Sequence, residues 1–365
     1  RPPRQASRPA IPLPAGARLS STQAILIDKL GAPDVFVERS VPLADPGPGE
    51  VHLRIEAAGV NFADVMMRVG LYGTVPPRPF SPGFEVAAIV ERVGEGVEDW
   101  SPGDQVVGLL RHGGYARDVV VPADQIFPRP SEISAVEAAA IPVVFLTAWV
   151  AMFEAARVRD GESILILGAG GGVGTAAVQL AATYGLRVFG TAGTPEKRGF
   201  VTGTLGAEAC FDSRGDWEPD VRAAIGHRNL DVALDPVGGD ATLACRRLLA
   251  PLGRLVFYGL SQALPGKKRD WIRAARAYLK TPRFHPAQLA EPNQGIFGIH
   301  LLHLDHRSHD ILMPASAEIF RRVVAGELRP VIDTVFSLDR EGAVAAHERL
   351  HARANLGKIV LSIDA

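Results

Sequence analysis

Short apolar runs separated by tight turns fill the first third of the chain. β-Branched residues and alternating polar positions in these runs predict strands at residues 24–27, 51–57, 84–93, 105–110 and 115–121. Clusters of glycine and proline, as at 45–49 and 102–104, predict the turns between them. This part of the chain is therefore predicted to form a small β-rich domain.

The pattern changes near residue 134 to an alternation of helices and apolar strands. Parallel strands are predicted at 164–167, 186–190, 231–235 and 253–258, with helices in the crossovers between them. Beyond residue 310, helices are predicted at 311–325 and 342–351, and strands at 334–336 and 358–362. This last segment is expected to pack back on the β-rich domain, with a ligand cleft between the two domains.

The fold class that follows is α/β, with a β-rich domain and a doubly wound parallel sheet. We predict a flexible leader at 1–21, the β-rich domain at 22–145 and 293–365, and the parallel-sheet domain at 146–292. The longest apolar stretch, 138–153, contains Pro142 and falls short of the roughly 20 residues that span a bilayer. It is interpreted as a buried helix and connector.

The strand predicted at 164–167 runs directly into a glycine-rich turn. The spacing Ala169-x-Gly171-x-x-Gly174 is a variant of the dinucleotide fingerprint, and a helix at 175–184 and a strand at 186–190 follow it. Backbone N–H groups and the positive end of a helix bind a pyrophosphate at such a turn. The predicted contacts are Gly171, Gly172, Val173 and Gly174. A plain glycine-rich connector is the alternative, which the strand–helix–strand context disfavours.

The end of the second strand indicates which dinucleotide is bound. An NAD site usually carries an acid there to accept the ribose hydroxyls, and this chain has none at the strand tip. A 2′-phosphate needs donors and positive charge. The groups available are Thr191, Gly193, Thr194, Lys197 and Arg198. NADPH is therefore favoured, although the cations could also be solvated helix residues that Glu196 partly offsets.

Composition excludes several classes of function. The net charge is −1, and no stripe of basic and aromatic residues indicates a nucleic-acid partner. The two cysteines, Cys210 and Cys245, fit no metal or redox spacing and favour a reducing, cytoplasmic setting. Residues 1–20 lack the apolar core of a signal peptide, and a linker to an upstream domain is one interpretation of them.

Several short motifs, taken together, carry a family resemblance over about residues 22–362. They are GVNFAD at 59–64, GLY at 70–72, PGFE at 82–85, PGD at 102–104, LTA at 146–148, GGVG at 171–174 and GK at 357–358. The chain resembles the zinc-independent quinone oxidoreductases of the medium-chain dehydrogenase/reductase superfamily. FGIH at 297–300 and YGLS at 258–261 resemble the VAT-1-like branch, and residues 61–72 are similar to polyketide enoyl reductase domains.

The resemblance implies a GroES-like domain joined to a Rossmann domain, and a homodimer formed through an outer strand near 255–258. It also implies cofactor contacts at Thr147, Tyr258, Gly259 and Asn355. Two departures from the family weaken the comparison. Ser213-Arg214 stands where many relatives have tyrosine near the adenosine 2′-phosphate, and Val144-Phe145 stands where relatives often have Asn-Tyr. Ser213 and Arg214 could together bind that phosphate, whereas Thr147 and Asn355 could instead be plain helix and turn residues.

Zinc-dependent members of the superfamily carry cysteine where Asn61 stands and histidine where Phe84 stands. Phenylalanine cannot bind zinc, and an amide is a poor ligand for it. We therefore predict no metal. Hydrogen bonds must then polarise the substrate carbonyl.

Asn61 and Tyr72 are the predicted catalytic donors, an amide and a phenol. In the enoyl reductases a tyrosine at the position of Tyr72 is implicated in protonation. Two alternatives stay open. Asn61 could cap a helix that begins at Phe62, and Tyr72 could be a packing residue. Gly70 and Gly73 beside the tyrosine would let its loop approach a ligand.

Two further segments are rich in cationic or titratable residues. The segment 265–286 is the most basic stretch, and a solvated amphipathic helix, a lip for a phosphorylated thioester and a membrane contact are all compatible with it. Histidines recur at 300, 303, 306 and 309, of which only His300 is a weak site candidate.

The leading hypothesis is an NADPH-dependent reductase of a small quinone, enone or enoyl thioester. One alternative is a non-redox enzyme of the same fold that catalyses conjugate addition or cyclisation. The other is a VAT-1-like, membrane-associated binding protein without activity, in which membrane contact would be the partner interaction.

Overall fold

The computed structural model describes residues 20–73, 75–263, 282–304 and 307–365, and it describes no side chains at 307–309. The leader at 1–19, the basic residues 265–281, His306 and the side chain of His309 lie outside the described residues.

The first domain is built on an antiparallel pair and a seven-stranded sheet. The pair is β1 (Ser20–Ile27) with β2 (Phe36–Leu43). The larger sheet contains β3 (Glu50–Val60), β4 (Glu85–Val93), β5 (Gln105–Leu109), β6 (Asp118–Pro122), β7 (Ile126–Pro128), β14 (Ile332–Ser337) and β15 (Lys358–Ser362). Its order is β14-β15-β3-β4-β5-β7, with β6 paired to β3. The C-terminal strands therefore return to the first domain, as the apolar pattern predicts.

The second domain is a parallel sheet of six strands in the order β10-β9-β8-β11-β12-β13. These strands are β8 (Ser163–Ile166), β9 (Arg187–Ala192), β10 (Ala209–Asp212), β11 (Leu230–Asp235), β12 (Leu249–Phe257) and β13 (Gly295–Gly298). The two central strands, β8 and β11, are buried almost throughout because helices cover both faces of the sheet. The predicted α/β class, a β-rich domain plus a doubly wound sheet, is confirmed.

Ten helices accompany the two sheets within the described ranges. They are α1 (Phe62–Val69), α2 (Ala135–Ala139), α3 (Pro142–Trp149), α4 (Gly172–Thr183), α5 (Pro195–Gly203), α6 (Glu218–Ile225), α7 (Asp240–Leu248), α8 (Pro286–Ala290), α9 (Arg307–Val324) and α10 (Arg340–His351). The apolar stretch at 138–153 forms α2, α3 and a π-helical turn at Val150–Ala155. In the part of the chain that the structure covers, no helix has the length and apolarity to cross a membrane.

The structure corrects two details of the predicted organisation. β13 pairs in parallel with β12, from Arg254 with Gly295 to Phe257 with Gly298, so the parallel sheet extends past the boundary expected at residue 292. The same pairing makes β12 an inner strand, whereas an outer strand was expected near 255–258. Among the residues that the structure describes, the outermost strand on that side is β13, where Phe297 is 42% exposed.

Helix α4 begins inside the glycine-rich turn, three residues before its predicted start. Gly174 makes this possible because it lies against the preceding strand end. A Cβ atom on Gly174 would lie 2.3 Å from the carbonyl oxygen of Gly168 and 2.6 Å from Cα of Ala169. Any larger residue would push the helix away from the sheet.

Replacing Gly174 with alanine is expected to destabilise the protein by about 1–3 kcal/mol, because the added methyl group has no space. Gly199→Ala is the matched control. Gly199 lies within α5, and a Cβ atom there would meet nothing within 4 Å. Alanine also favours a helix, so the control should be neutral or stabilising. Unfolding midpoints from calorimetry make the comparison, and equal midpoints for the two variants would contradict it.

Candidate active site

The glycine-rich turn forms a closed loop between β8 and α4. Gly168 takes a left-handed conformation (φ +66°), and the N–H of Gly171 donates to the carbonyl of Gly168 at 2.9 Å. The N–H groups of Gly172, Val173 and Gly174 then lie in the first helical turn, where they have no acceptor within the helix. This arrangement fits a pyrophosphate, because unpaired N–H groups and the positive helix end converge there.

Two neighbouring segments hold this turn in place. The Oγ1 atom of Thr191 accepts from the N–H of Gly168 at 3.2 Å, and Thr191 is almost fully buried. Its hydroxyl therefore supports the turn, although the sequence analysis placed it with the donors to the 2′-phosphate. From the C-terminal segment, the N–H of Gly357 donates to the carbonyl of Gly170 at 2.9 Å.

A cationic corner follows the end of β9. Gly193 lies beside Ser213 and Arg214, since a Cβ atom on Gly193 would be 3.5 Å from Oγ of Ser213 and 3.4 Å from Nε of Arg214. Arg198 is paired with Asp212 at 3.1 Å. The guanidinium of Arg214 makes no hydrogen bond or ion pair with any residue that the structure describes. It is thus the cation at this corner that is open to a phosphate.

Thr194 and Lys197 have structural partners at the same corner. Thr194 caps α5, where its Oγ1 accepts from the N–H of Lys197 at 3.3 Å. The Nζ of Lys197 donates to the carbonyl of Arg353 at 2.8 Å. Burial lowers the pKa of Lys197, and nearby arginines add to that shift. Both residues border the corner, but they are less free to bind an anion than Arg214.

The remaining predicted cofactor contacts lie on α3, directly after β12 and just before β15. Thr147 is buried on α3, and its hydroxyl makes no hydrogen bond among the described residues. Tyr258 and Gly259 follow β12, with Gly259 close against Pro236. The Nδ2 of Asn355 donates to the carbonyl of Gly357 at 2.8 Å, so this side chain stabilises its own turn.

Asn61 belongs to a buried polar network. It is the N-cap residue of α1, and in a capping box the Asp64 carboxylate accepts from its backbone N–H at 2.8 Å. Its Nδ2 donates to Oε1 of Glu85 at 2.7 Å, and its Oδ1 accepts from Nζ of Lys358 at 2.8 Å. Lys358 and Glu85 are themselves an ion pair at 2.6 Å. Asn61 thus begins α1, and its side-chain amide is held by charged partners.

A second buried acid, Asp64, fixes the backbone around Asn61. Its two oxygens accept from the N–H groups of Asn61 at 2.8 Å and Gly83 at 2.9 Å. Burial raises the pKa of Asp64 to about 7, and the two backbone hydrogen bonds and Lys358 oppose that shift. The loop before α1 and the loop before β4 are thereby tied together.

Tyr72 lies in a column of four rings. Its ring is 5.2 Å from that of Phe84 and 5.5 Å from that of His300, and His300 stacks on His303 at 3.9 Å. Burial raises the pKa of Tyr72 to about 12, with a further contribution from Asp64. The phenol therefore remains a proton donor at any physiological pH.

The two predicted donors are brought to one place because Phe84 and Glu85 are consecutive. Phe84 contacts Tyr72, and Glu85 binds Asn61. Oε2 of Glu85 also accepts from the N–H of Val143 at 2.7 Å, so α3 begins at the same point. Thr147 lies one turn further along that helix, on the same face as Val143.

Sequence reasoning did not identify Glu85 and Lys358 as site residues. Both lie in the motifs PGFE and GK, and a charged residue inside the apolar runs 84–93 and 358–362 is the signal that could identify them. Val144, one of the departures from the family pattern, lies against the turn. Its Cγ1 would be 2.9 Å from a Cβ atom on Gly172.

Zinc does not fit the donor set beside Asn61. The side chains there are an amide, a phenyl ring, a carboxylate and an ammonium group, and the ammonium already bonds to the amide and the carboxylate. Among the described residues, no group of three or more histidine, cysteine or acidic side chains could hold a metal ion.

Two family models match the chain. The alcohol dehydrogenase GroES-like domain matches residues 47–131, and a domain described as zinc-binding dehydrogenase matches residues 205–361. The synaptic vesicle membrane protein VAT-1 homolog of Rattus norvegicus is 36% identical over 331 residues, which cover 88% of this chain and 78% of the relative. The quinone oxidoreductase of Sus scrofa is 31% identical over 350 residues, 95% of this chain and 98% of the relative.

The VAT-1 homolog of Danio rerio is 36% identical over 319 residues, and the chain spans 64% of its length. Three solved structures share the fold. Human VAT-1 homolog-like protein has a TM-score of 0.80 at 30% identity, with 94% of this chain and 99% of that chain covered. The CurK enoyl reductase has a TM-score of 0.79 at 26% identity, with 94% and 99% covered. Mycobacterial Rv1454c complexed with NADPH has a TM-score of 0.81 at 28% identity, with 94% and 100% covered.

The chain therefore belongs to the medium-chain dehydrogenase/reductase superfamily. Its relatives there are VAT-1 homologues and quinone oxidoreductases, as the short motifs predict, and enoyl reductases share its fold.

Tyr72 is expected to ionise only near pH 12, because burial disfavours the phenolate. Tyrosinate absorbance can be followed in an alkaline titration of the wild type and of Tyr72→Phe, with circular dichroism to verify that both stay folded. The difference between the two curves should develop at the high end of the titration. A difference that develops near the ordinary tyrosine pKa of about 10 would show that burial does not raise the pKa of Tyr72.

Proposed function

We propose that the protein is a zinc-independent, NADPH-dependent reductase of α,β-unsaturated carbonyl compounds: quinones, enones or enoyl thioesters. The proposal rests on the short distance between the polar donors and the glycine-rich turn. Lys358, which binds the Asn61 amide, lies with its Cδ 3.7 Å from a Cβ position on Gly172. Quinone oxidoreductase and enoyl reductase relatives support the reaction type, and NADPH in one structural relative supports the cofactor.

The cofactor would be held at two places. The N–H groups of Gly172, Val173 and Gly174 would bind its pyrophosphate, and Arg214 with Ser213 would bind its 2′-phosphate. When bound, the nicotinamide supplies the hydride. Val144 and Phe145 are both buried, so a mostly apolar wall would exclude water from this side of the turn.

The chain itself would stabilise the charge that develops on the substrate oxygen. A carbonyl gains negative charge when its β-carbon is reduced, and neutral donors in a desolvated site stabilise that charge strongly. Asn61 would donate an amide N–H, and Tyr72 would donate its O–H. Because the pKa of Tyr72 is raised, the phenol is protonated when the substrate binds. Its proton can then move to the reduced substrate, and water would restore it.

We also infer a homodimer that forms through the edge of β13. This strand is unpaired on its outer side within the described part of the chain, and it carries the exposed Phe297. A second copy could continue the sheet across that edge. A cytoplasmic location likewise stays a proposal, supported by two cysteines that are both free.

The reductase proposal is tested by NADPH consumption at 340 nm with a panel of quinones, cyclohexenone and enoyl thioesters. The wild type is expected to reduce at least one class, and Tyr72→Phe should lower kcat roughly 100-fold because one oxyanion donor is lost. Treatment with a zinc chelator should leave the rate unchanged. No turnover with any class, product without NADPH, or loss of activity to the chelator would each count against the proposal.

Cofactor choice should depend on Arg214. Replacing it with alanine is expected to weaken NADPH binding roughly tenfold, the loss of about 1.4 kcal/mol from one charge-assisted contact. NADH binding should not change, because NADH lacks the phosphate. Arg228→Ala is the control, since Arg228 is exposed and precedes β11 at the opposite end of the sheet. Calorimetric titration measures both nucleotides, and equal losses for NADPH and NADH would be inconsistent with a phosphate contact.

A further inference from the structure

Two hydrogen bonds and one ion pair connect three buried side chains of the candidate active site into a ring. The ammonium of Lys358 donates to Oδ1 of Asn61 at 2.8 Å and lies 2.6 Å from Oε1 of Glu85. The same oxygen of Glu85 accepts from Nδ2 of Asn61 at 2.7 Å. The side chains of Lys358 and Glu85 are 3% and 0% exposed, so water does not compete for these bonds.

The ammonium of Lys358 donates two hydrogen bonds and makes one ion pair. It donates to Oδ1 of Asn61 and to the backbone carbonyl of Val60 at 2.7 Å, and it is paired with Glu85. The second carboxylate oxygen of Glu85 is bound to the N–H of Val143 at 2.7 Å. Each charge therefore has two hydrogen bonds in addition to its ionic partner, and such bonds help an ion pair to persist in a protein interior.

These partners allow the Asn61 amide only one orientation. An ammonium group can only donate, and a carboxylate can only accept. The amide oxygen must therefore face Lys358, and the amide nitrogen must face Glu85. The flipped amide would place N–H against ammonium and oxygen against carboxylate.

One amide hydrogen of Asn61 is left weakly bound. The nitrogen has a second N–H, and its nearest acceptor is the carbonyl of Gly59 at 3.5 Å, the outer limit of a hydrogen bond. The ammonium on the amide oxygen polarises the group and strengthens its N–H as a donor. Because its orientation is locked, the Asn61 amide always offers this N–H group as a donor and never offers its carbonyl oxygen in the same place.

We propose that Lys358, together with Glu85, is the positioning residue that locks the Asn61 amide as a hydrogen-bond donor toward the substrate oxygen. The inference rests on the proposed reductase function. It adds that the buried ion pair serves this orientation, beyond any role in stability.

The decisive variant is the double replacement Lys358→Met and Glu85→Gln. It removes both charges, so neither is left buried without a partner. The oxygen of the glutamine amide introduced at position 85 can keep the bond to the N–H of Val143, and the NH2 group of that amide then faces Asn61. This contact requires the oxygen of the Asn61 amide, so the Asn61 side chain should flip and turn its N–H groups elsewhere.

The expected kinetic result is a loss in kcat of roughly 100-fold with KM and NADPH affinity within about twofold of wild type. Asn61→Ala should lose a similar factor. The triple variant should be no slower than Asn61→Ala, because both changes remove the same donor. A double variant with wild-type kcat, or a triple variant in which the two losses multiply, would overturn the inference. A wild type without turnover would instead indicate failure of the proposed function.

If the double variant does not fold, NMR spectroscopy of the wild type tests the same proposal. The chain contains four asparagines, Asn61, Asn229, Asn293 and Asn355, so 15N-asparagine labelling gives few side-chain amide signals. Asn61→Ala identifies its own pair. One Asn61 proton should be shifted far downfield by the carboxylate, and the other should lie near those of exposed Asn229 and Asn293. Two similarly shifted protons would refute the locked orientation.

Discussion

A parallel β-bridge between Gly171 and Gly357 connects the C-terminal segment to the glycine-rich turn, with a hydrogen bond from the N–H of Gly357 to the carbonyl of Gly170 at 2.9 Å. Gly357 has a φ of +80°, and a Cβ atom there would lie 2.3 Å from the carbonyl of Val331, so the position accepts only glycine. The next residue, Lys358, begins β15 directly beneath the turn. The bond thereby sets the register that carries the ammonium group to Asn61 and Glu85.

The effect of an ion pair in this protein depends on how deeply the pair is buried. Exposed pairs such as Arg187 with Glu208 at 2.8 Å contribute little, because water and salt screen them. The pair of Lys358 with Glu85 has lost its hydration, and its attraction mainly offsets that cost. The pair instead fixes the orientation of the Asn61 amide, because a group that only donates and a group that only accepts leave the amide no second orientation.

The sequence was sufficient for much of the fold because buried strands have a strong local pattern. The glycine-rich turn and β8 follow from residues 163–174 alone. Four strands were not predicted: β2, β7, β10 and β13. β2 is buried only at its two ends, β7 and β10 are short, and β13 consists of two glycines around Ile296 and Phe297. The early start of α4 was also missed, because a glycine sequence does not show which of its residues adopt helical angles.

The candidate site was only partly accessible from the sequence. Asn61 and Tyr72 were candidates because of their donor groups, and Arg214 became one through the comparison with the family. Glu85 and Lys358 are separated by more than 270 positions along the chain, and no local pattern shows that they meet. The role of Thr191 depended on the turn that its hydroxyl supports, which only the three-dimensional structure reveals.

The carboxyl group of Asp64 has a consequence for the pH dependence of folding. Its folded pKa of about 7 exceeds the ordinary value of 3.8, so between these values the native state binds more protons than the unfolded chain. This group therefore makes folding less favourable as the pH rises from about 4 to 7 and adds no further change above that range. The acid that ties Asn61 to Gly83 thus opposes the loss of stability that most proteins undergo on acidification.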